Sequence, residues 1–343
     1  MNSPEEYAAI WEAARPMQVR TYAGTRNIRE LARMYEDTIN IAWHALSLWW
    51  FSEIDGRGPN TVEKNLKEHM DTIKYIASVG KPYEANVPHH FAFRGSDDIT
   101  YVVSDVIAAK AAKSLGVSDF IIQNMLNDPK YTWGVNDLAK TRATLHLVRE
   151  LEDPGFRTYL QTRAGLNYLS HDPVKARKQL ASVTALMDDI DPSNTKSPDI
   201  IHVVSYSEGY GLATPDVIDE SIQVTRHALD SYRNLRRKGE VYDMSAHPEV
   251  MERTKYLIDG ARTMLSAIDS SVDDPYTPEG LYKIFSSGFL PVPGMMYCRE
   301  KFPHAVDWKT RVYQGRVDNY DGNEPISPME RAKHIKELIS GGL

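Results

Sequence analysis

Six short clusters of polar and aromatic residues each close an apolar run. They read Arg20-Thr21-Tyr22-Ala23-Gly24, Ser52-Glu53-Ile54-Asp55-Gly56-Arg57, His89-His90-Phe91-Ala92-Phe93-Arg94, Gln123-Asn124-Met125-Leu126-Asn127, Gln161-Thr162-Arg163-Ala164-Gly165 and Ser205-Tyr206-Ser207-Glu208. Glu53, His90 and Glu208 are of the right types for general acid–base work. Arginine recurs through the clusters, at Arg20, Arg57, Arg94 and Arg163. A planar fork of N–H donors suits carboxylate or phosphate oxygens, which it can bind two at a time. The same arginines could equally pair with Glu53, Asp55 and Glu208. The amides of Gln123, Asn124 and Gln161 and the phenol of Tyr206 complete the polar set.

Metal chemistry has less support. His89 and His90 are adjacent, so on a strand they would point to opposite faces and only one could look inward. Glu53 or His171 could add a ligand, but no H-x-H or H-E-x-x-H spacing is present, and the expectation is no metal. Trp43, Trp49 and Trp50 surround the second apolar run as core packing or as a stacking surface. The one cysteine, Cys298, has no histidine close in sequence and excludes an internal disulfide framework.

The elements that must position these groups alternate. Strands are expected at 17–23, 45–51, 83–93, 120–126, 157–165 and 200–206, with a further short one near 289–292. Helical patterns fall between them at 26–37, 61–79, 97–115, 135–152, 173–190 and 215–237, followed by 247–269 and 278–287. Thr214-Pro215-Asp216, Thr277-Pro278-Glu279 and Asp172-Pro173 are helix starts, with a capping side chain before a proline at the first helical position. Gly80 and Gly116 mark helix ends. Repeated strand–helix units of about 35 residues predict a parallel sheet with right-handed crossovers. Six or more in series, with no glycine fingerprint of a dinucleotide fold, predict an α/β fold of the (β/α)8 barrel type with an irregular seventh unit. The expected division is an N-terminal arm over 1–16, the substrate barrel over 17–294 and an irregular C-terminal extension over 295–343 that ends in a helix at 327–339. In such a barrel the chemistry gathers at the C-terminal ends of the strands, where the six clusters fall.

Composition narrows the function class. The chain has 343 residues, 42% of them hydrophobic and 25% charged, enough apolar content for a large core. Forty Lys and Arg against 47 Asp and Glu give a net charge of −7, which argues against a general nucleic-acid binder. No apolar run reaches the roughly 20 residues a membrane span needs. Acids stand at the N-terminus where a signal peptide would be basic. A cytoplasmic enzyme without nucleic-acid or membrane partners is expected.

Several segments resemble the adenosylcobalamin-dependent carbon-skeleton mutases. Arg20-Thr21-Tyr22-Ala23-Gly24 is similar to the R-x-Y-A-G segment that opens the methylmalonyl-CoA mutase barrel. Ile122-Gln123-Asn124 and Ala164-Gly165 resemble strand ends of that family, while 201–229 and 277–294 are closer to the large subunit of glutamate mutase. The resemblance implies a barrel that holds the substrate while a cobalamin-bound adenosyl group generates the radical. It implies Tyr22 beside the adenosyl group, Gln123 on the substrate, and Arg20, Arg94 and Arg163 on a carboxylate. The chain lacks the D-x-H-x-x-G motif whose histidine ligates cobalt, so a separate small cobalamin-binding subunit is implied. Leu160 stands where acyl-CoA mutases carry a catalytic histidine, which points to a free small carboxylate or amino acid rather than a thioester. The alternative enzyme reading is a cofactor-independent barrel lyase or aldolase using Glu53, His90 and Glu208. A non-catalytic barrel is disfavoured by the crowded polar strand ends.

Overall fold

The computed structural model describes residues 3–22 and 24–341, an α/β fold in which a five-stranded parallel sheet is flanked by helices. Helices α1 (Pro4–Ala14) and α2 (Ile28–Ile39) precede β1 (His44–Leu46), α3 (Val62–Ser78) and β2 (Tyr83–Ala85). Next come α4 (Pro88–Ala92), α5 (Asp98–Ser114), β3 (Asp119–Leu126), α6 (Gly134–Arg149), β4 (Arg157–Ala164), α7 (Pro173–Asp188) and β5 (Ile200–Ile201). The strands lie in chain order, β1-β2-β3-β4-β5. That order is what successive strand–helix–strand units produce when each new strand pairs with the one before it.

Helices α8 (Pro215–Arg237), α9 (Pro248–Ser271), α10 (Pro278–Ser286) and α11 (Pro303–Val306) follow. The chain closes with a three-stranded antiparallel sheet of β6 (Thr310–Tyr313), β7 (Arg316–Asp321) and β8 (Glu324–Pro325), then α12 (Pro328–Ser340). The expected irregular extension therefore carries an ordered sheet. It is tied down by buried charge pairs, because Arg253 bonds Asp98 and Asp318 at 2.9 and 2.8 Å and Arg331 bonds Asp97 at 3.0 Å. No helix among the described residues is long and apolar enough to cross a membrane.

The helix starts behave as capping chemistry predicts. The side chains of Asp172, Thr214 and Thr277 each accept a backbone N–H of the first turn. Strands β3 and β4 lie within a residue or two of their expected bounds. Five strand expectations change. The strand expected over 45–51 is only His44–Leu46, because the chain turns at Leu48 and Phe51, both at positive φ. The stretch 17–22 pairs in no ladder, although the Ala42 N–H donates to the Val19 carbonyl at 2.9 Å, while Ala23 lies outside the described residues. The run expected as a strand over 83–93 breaks after Ala85, because Pro88 takes the first position of α4 and presets its turn. The strand expected over 200–206 is only Ile200–Ile201, and 289–292 forms none.

The sheet has one apolar and one polar face. In-register neighbours of a parallel sheet share a face and successive residues alternate. Tyr83, Phe120, Ile122, Leu126, Leu160 and Ala164 form the face buried against the helices, in the main core. Within that core Asp105 of α5 is fully buried and neither carboxyl oxygen has a partner among the described residues, and desolvation pushes its pKa well above the ordinary value. A raised folded-state pKa means that the stability contributed by the neutral carboxyl is complete below about pH 4 and is lost as pH rises toward the folded value. Asp105→Asn is therefore expected to stabilise the protein progressively more as pH increases from 5 to 8, by up to about 1.4 kcal/mol per pH unit. Urea unfolding at several pH values measures this, and a pH-independent difference between the two proteins contradicts it.

Candidate functional site

The polar face begins with Glu84, in the middle of β2. Register places Glu84 beside Ile121, Gln123 beside Gln161, and Gln161 beside Ile200. Glu84, Gln123, Gln161 and Arg163 thus share one face. His202 joins them two residues past Ile200, its backbone N–H bonded to the Thr162 carbonyl at 2.9 Å. This is the opposite face from the apolar core, so its polar groups must find partners among themselves or in a ligand.

Glu84 gathers the site. Its carboxylate is fully buried and accepts from Arg20 Nη2 at 2.7 Å, Gln123 Nε2 at 2.8 Å, Asn86 Nδ2 at 2.9 Å and Trp43 Nε1 at 2.5 Å. Asn86 in turn accepts from the Tyr22 hydroxyl at 2.8 Å. The 17–22 stretch is thereby held over the sheet by side chains rather than by a strand ladder. Arg20 also stacks over the Tyr22 ring at 4.8 Å, and burial raises the pKa of that phenol against the opposing field of Arg163 and Arg20.

The same face carries polar atoms with no partner. Among the described residues, Gln123 Oε1, Gln161 Nε2 and Arg163 Nε are all shielded from solvent and unbonded. Because Gln123 must turn its NH2 toward a carboxylate, its free atom is an acceptor. The face thus offers an acceptor beside donors from an amide and a guanidinium. Burial lowers the pKa of Arg163, countered by the fields of Tyr22, Glu208 and Glu84. His202 is held down to about 3 by desolvation, then by Arg163 and Arg20, so it is a neutral imidazole at physiological pH.

A second group of residues adjoins this face. Asp55 sits in the loop after β1, accepts the backbone N–H groups of Phe51 and Ser52, and binds Arg57 at 2.6 Å and Arg94 at 3.5 Å. Leu48 and Phe51 of that loop have positive φ, and a Cβ on Gly58 would lie 1.8 Å from the Phe51 carbonyl, so only glycine permits this closure. Trp49 and Trp50 are buried in it, and Trp49 Nε1 donates to the Leu281 carbonyl at 3.1 Å, which makes them core residues. His89 and His90 lie on the one-turn helix α4, with ring centroids 4.2 Å apart and both rings buried. The sequence expectation of opposite faces fails because the pair is helical rather than extended. Both imidazoles are driven well below their ordinary pKa by desolvation and by neighbouring cationic or imidazole groups, Arg163 foremost for His89 and the His89 ring for His90.

Of the residues predicted from sequence, Arg20, Tyr22, Gln123, Gln161 and Arg163 meet on the polar face, and His90 and Arg94 adjoin it. Glu53 turns elsewhere, accepting the Val62 N–H at 3.0 Å and Lys301 Nζ at 2.7 Å. Asn124 points to the opposite face and its Nδ2 approaches the Thr141 carbonyl of α6 at 3.4 Å. Glu208 is exposed and bonds the Ser205 N–H of its own turn at 3.0 Å, reaching the site only through its field on Arg163. Tyr206 packs with Ala176 and Leu180 and donates to Glu220 at 2.5 Å. The acid–base set Glu53, His90 and Glu208 is not assembled at one place. A search of strand ends misses Glu84, which lies inside a strand, and His202. The visible signal for Glu84 was an acid within the apolar run Tyr83-Glu84-Ala85. Among the described residues no group of three or more His, Cys, Asp or Glu is placed to hold a metal ion. No protein-family model and no curated protein matches this chain.

Glu84→Gln removes the charge that four donors share and leaves Arg20 without its counter-ion, so it is expected to cost about 3 kcal/mol of folding stability. Glu53→Gln, at a partly exposed ion pair, is expected to cost under about 1 kcal/mol. Chemical denaturation of both variants measures the contrast. Equal losses would show that Glu84 is no more central than a rim carboxylate.

Proposed function

We propose that this chain is the substrate-binding large subunit of an adenosylcobalamin-dependent radical mutase. In this reading its parallel sheet is the wall of a (β/α)8-type barrel, its substrate is a small carboxylate or amino acid, and its cobalamin comes on a separate small chain. The observation that carries the reading is the buried polar sheet face, where Gln123 Oε1, Gln161 Nε2 and Arg163 Nε lack partners among the described residues. Unpaired buried polar atoms are costly, and a ligand that bonds all three removes that cost. A carboxylate fits the two donors and an amine or hydroxyl fits the acceptor.

The residues present fit the substrate half of such a site. Arg163 and Gln161 bind the carboxylate, Gln123 orients the rest of the molecule, and Glu84 fixes Gln123, Asn86 and Arg20. Tyr22 and Arg20 cover the face and exclude water, which radical chemistry requires. Tyr22, bonded to Asn86, is the residue of this chain that would meet the adenosyl group. Adenosylcobalamin, when bound, would supply the radical chemistry of the rearrangement. With no D-x-H-x-x-G in this sequence, the corrin is assigned to the partner. The dispersal of Glu53, His90 and Glu208 weighs against the lyase alternative.

Purification of the native protein from its own cells tests the reading, with mass spectrometry for partners and absorbance for a corrinoid. A small co-purifying chain carrying D-x-H-x-x-G and a cobalamin spectrum are expected. A colourless protein that purifies alone, and binds no adenosylcobalamin when offered such a subunit, contradicts it. In the reconstituted enzyme Tyr22→Phe is expected to lower kcat far more than it raises KM, and equal losses in both would remove Tyr22 from the adenosyl side.

A further inference from the structure

The C-terminal hairpin, the start of α6 and one face of α9 enclose a cavity of about 370 Å³. None of Glu84, Gln123, Gln161 and Arg163 lines it, so it is separate from the polar sheet face. Glu249, Glu252, Arg253 and Tyr256 recur at helical spacing along α9 and share the side that lines the cavity, opposite Trp133 before α6 and Arg316 of β7. The hairpin turn fixes the aromatic wall. Gln314 and Gly315 at its tip have positive φ, the Trp133 N–H donates to the Gly315 carbonyl at 3.1 Å, and Asn136 Nδ2 donates to the Gln314 carbonyl at 2.9 Å. A Cβ on Gly315 would lie 2.1 Å from Trp133 Cγ, so only glycine lets the turn press on the ring. Trp133 nonetheless stays 55% exposed.

Charge decides what the cavity takes. Arg253 bonds Asp98 at 2.9 Å and Asp318 at 2.8 Å, and Arg316 pairs with Asp318 at 3.1 Å. Lys140 pairs with Asp98 at 3.8 Å and Asp137 at 3.6 Å. In this ion-paired network three carboxylates answer three cations. Glu249 and Glu252 have neither an ion pair nor a side-chain hydrogen bond among the described residues, so two negative charges are left at the cavity. Exposed acids by themselves are ordinary, but these two share a cavity with aromatic rings, whose faces attract cations. Arg253 already stacks over Tyr256 at 4.8 Å, which leaves Trp133 as the open ring. No group of three or more His, Cys, Asp or Glu among the described residues is placed to hold a metal ion, so the charge calls for an organic cation. Arg253 adds a second requirement. It is 8% exposed, and its Nε is shielded without a partner among the described residues, so it needs an oxygen acceptor. We propose that this cavity binds a small organic cation, an amine or guanidinium that also carries a carboxylate, as a basic amino acid does.

The two ends of such a ligand meet different walls. Its cation lies with Glu249, Glu252 and the Trp133 ring, and its carboxylate with Arg253 and the partly exposed Arg316. A ligand with only a cation leaves Arg253 Nε bare, and one with only a carboxylate leaves both glutamates uncompensated. The volume lies within the range of small-molecule sites. Because the ligand bridges α9 to the hairpin, binding raises the unfolding midpoint of the chain. The site is independent of the reaction class proposed above.

Calorimetric titration of the whole chain with L-arginine and L-lysine tests the proposal, with L-citrulline, close in shape to arginine but without its side-chain charge, as the control. Saturable binding of a basic amino acid is expected, with citrulline at least about tenfold weaker. Glu249→Gln and Glu252→Gln are each expected to weaken binding about fivefold, as suits ion pairs open to solvent, and added salt weakens it further. Both glutamates are exposed, so these variants are expected to keep the unfolding midpoint of the unliganded parent. A change in tryptophan fluorescence accompanies binding and disappears in Trp133→Phe. Arg163→Gln, on the polar sheet face, leaves binding unchanged. No saturable binding of either amino acid, equal affinity for citrulline, or affinity indifferent to Glu249 and Glu252 overturns the proposal. Binding that is lost in Arg163→Gln and survives both glutamate variants places the ligand on the polar face, which overturns this site and leaves that one standing.

Discussion

A single buried carboxylate organises this molecule's polar interior. Glu84 lies on the sheet face turned away from the apolar core, where an isolated charge would be prohibitively expensive. Four donors compensate it, and each comes from a different part of the chain. Arg20 lies in the segment before α2, Trp43 just before β1, Asn86 just after β2 and Gln123 on β3. The demand of one carboxylate for donors therefore fixes the N-terminal segment over the sheet, and through Asn86 it fixes Tyr22 as well. The segment makes almost no backbone contact with the sheet, so its place is set by side-chain chemistry. With Gln123 held by its NH2 group, a bare acceptor is left beside the bare donors of Gln161 and Arg163.

Cations and neutral imidazoles dominate the space around that face. Arg20 is neutralised by Glu84, while Arg57 and Arg94 share Asp55, and Arg163 has no bonded counter-ion among the described residues. Histidines in such a field stay neutral, so they present hydrogen-bonding groups without adding charge. Among the described residues the amide face and the histidine pair each keep buried polar atoms without a bonded partner. The reaction proposed here depends on a ligand being held away from water, and the low accessibility of the whole face serves that end.

The sequence made the strand–helix alternation legible because its signals are local. Helix caps at Asp172, Thr214 and Thr277 act within one turn, and β3 and β4, at 8 residues each, are long enough to be read as strands. Short edges were less legible. In 83–93 the apolar run continues through Pro88, and only the proline betrays the change from strand to helix. That change reverses the reading of His89 and His90, from opposite faces to a stacked pair. For the site, the strand-end rule picked out Gln123, Gln161 and Arg163, which share one sheet face, and Arg20, which reaches that face from a segment that forms no strand. The same rule also selected Asn124 and Tyr206, because being near a strand end does not say which face a side chain takes. Gln123 and Asn124 are neighbours on β3 and must part company. Glu84 was hidden because its importance is non-local and arises from donors 41 to 64 residues away on one side and 39 on the other.

The account stands or falls on whether the polar face binds a small carboxylate through its unpaired amides. Side-chain amide resonances of Gln123 and Gln161, observed by NMR while a series of small carboxylates is titrated into the whole chain, report this directly. The account predicts that the Gln161 NH2 signals shift in a saturable manner. It also predicts that Gln123 responds more weakly, because its NH2 is already bound to Glu84, and that Arg163→Gln abolishes both changes. Amide signals that stay still with every carboxylate, in a protein that remains folded, would contradict it.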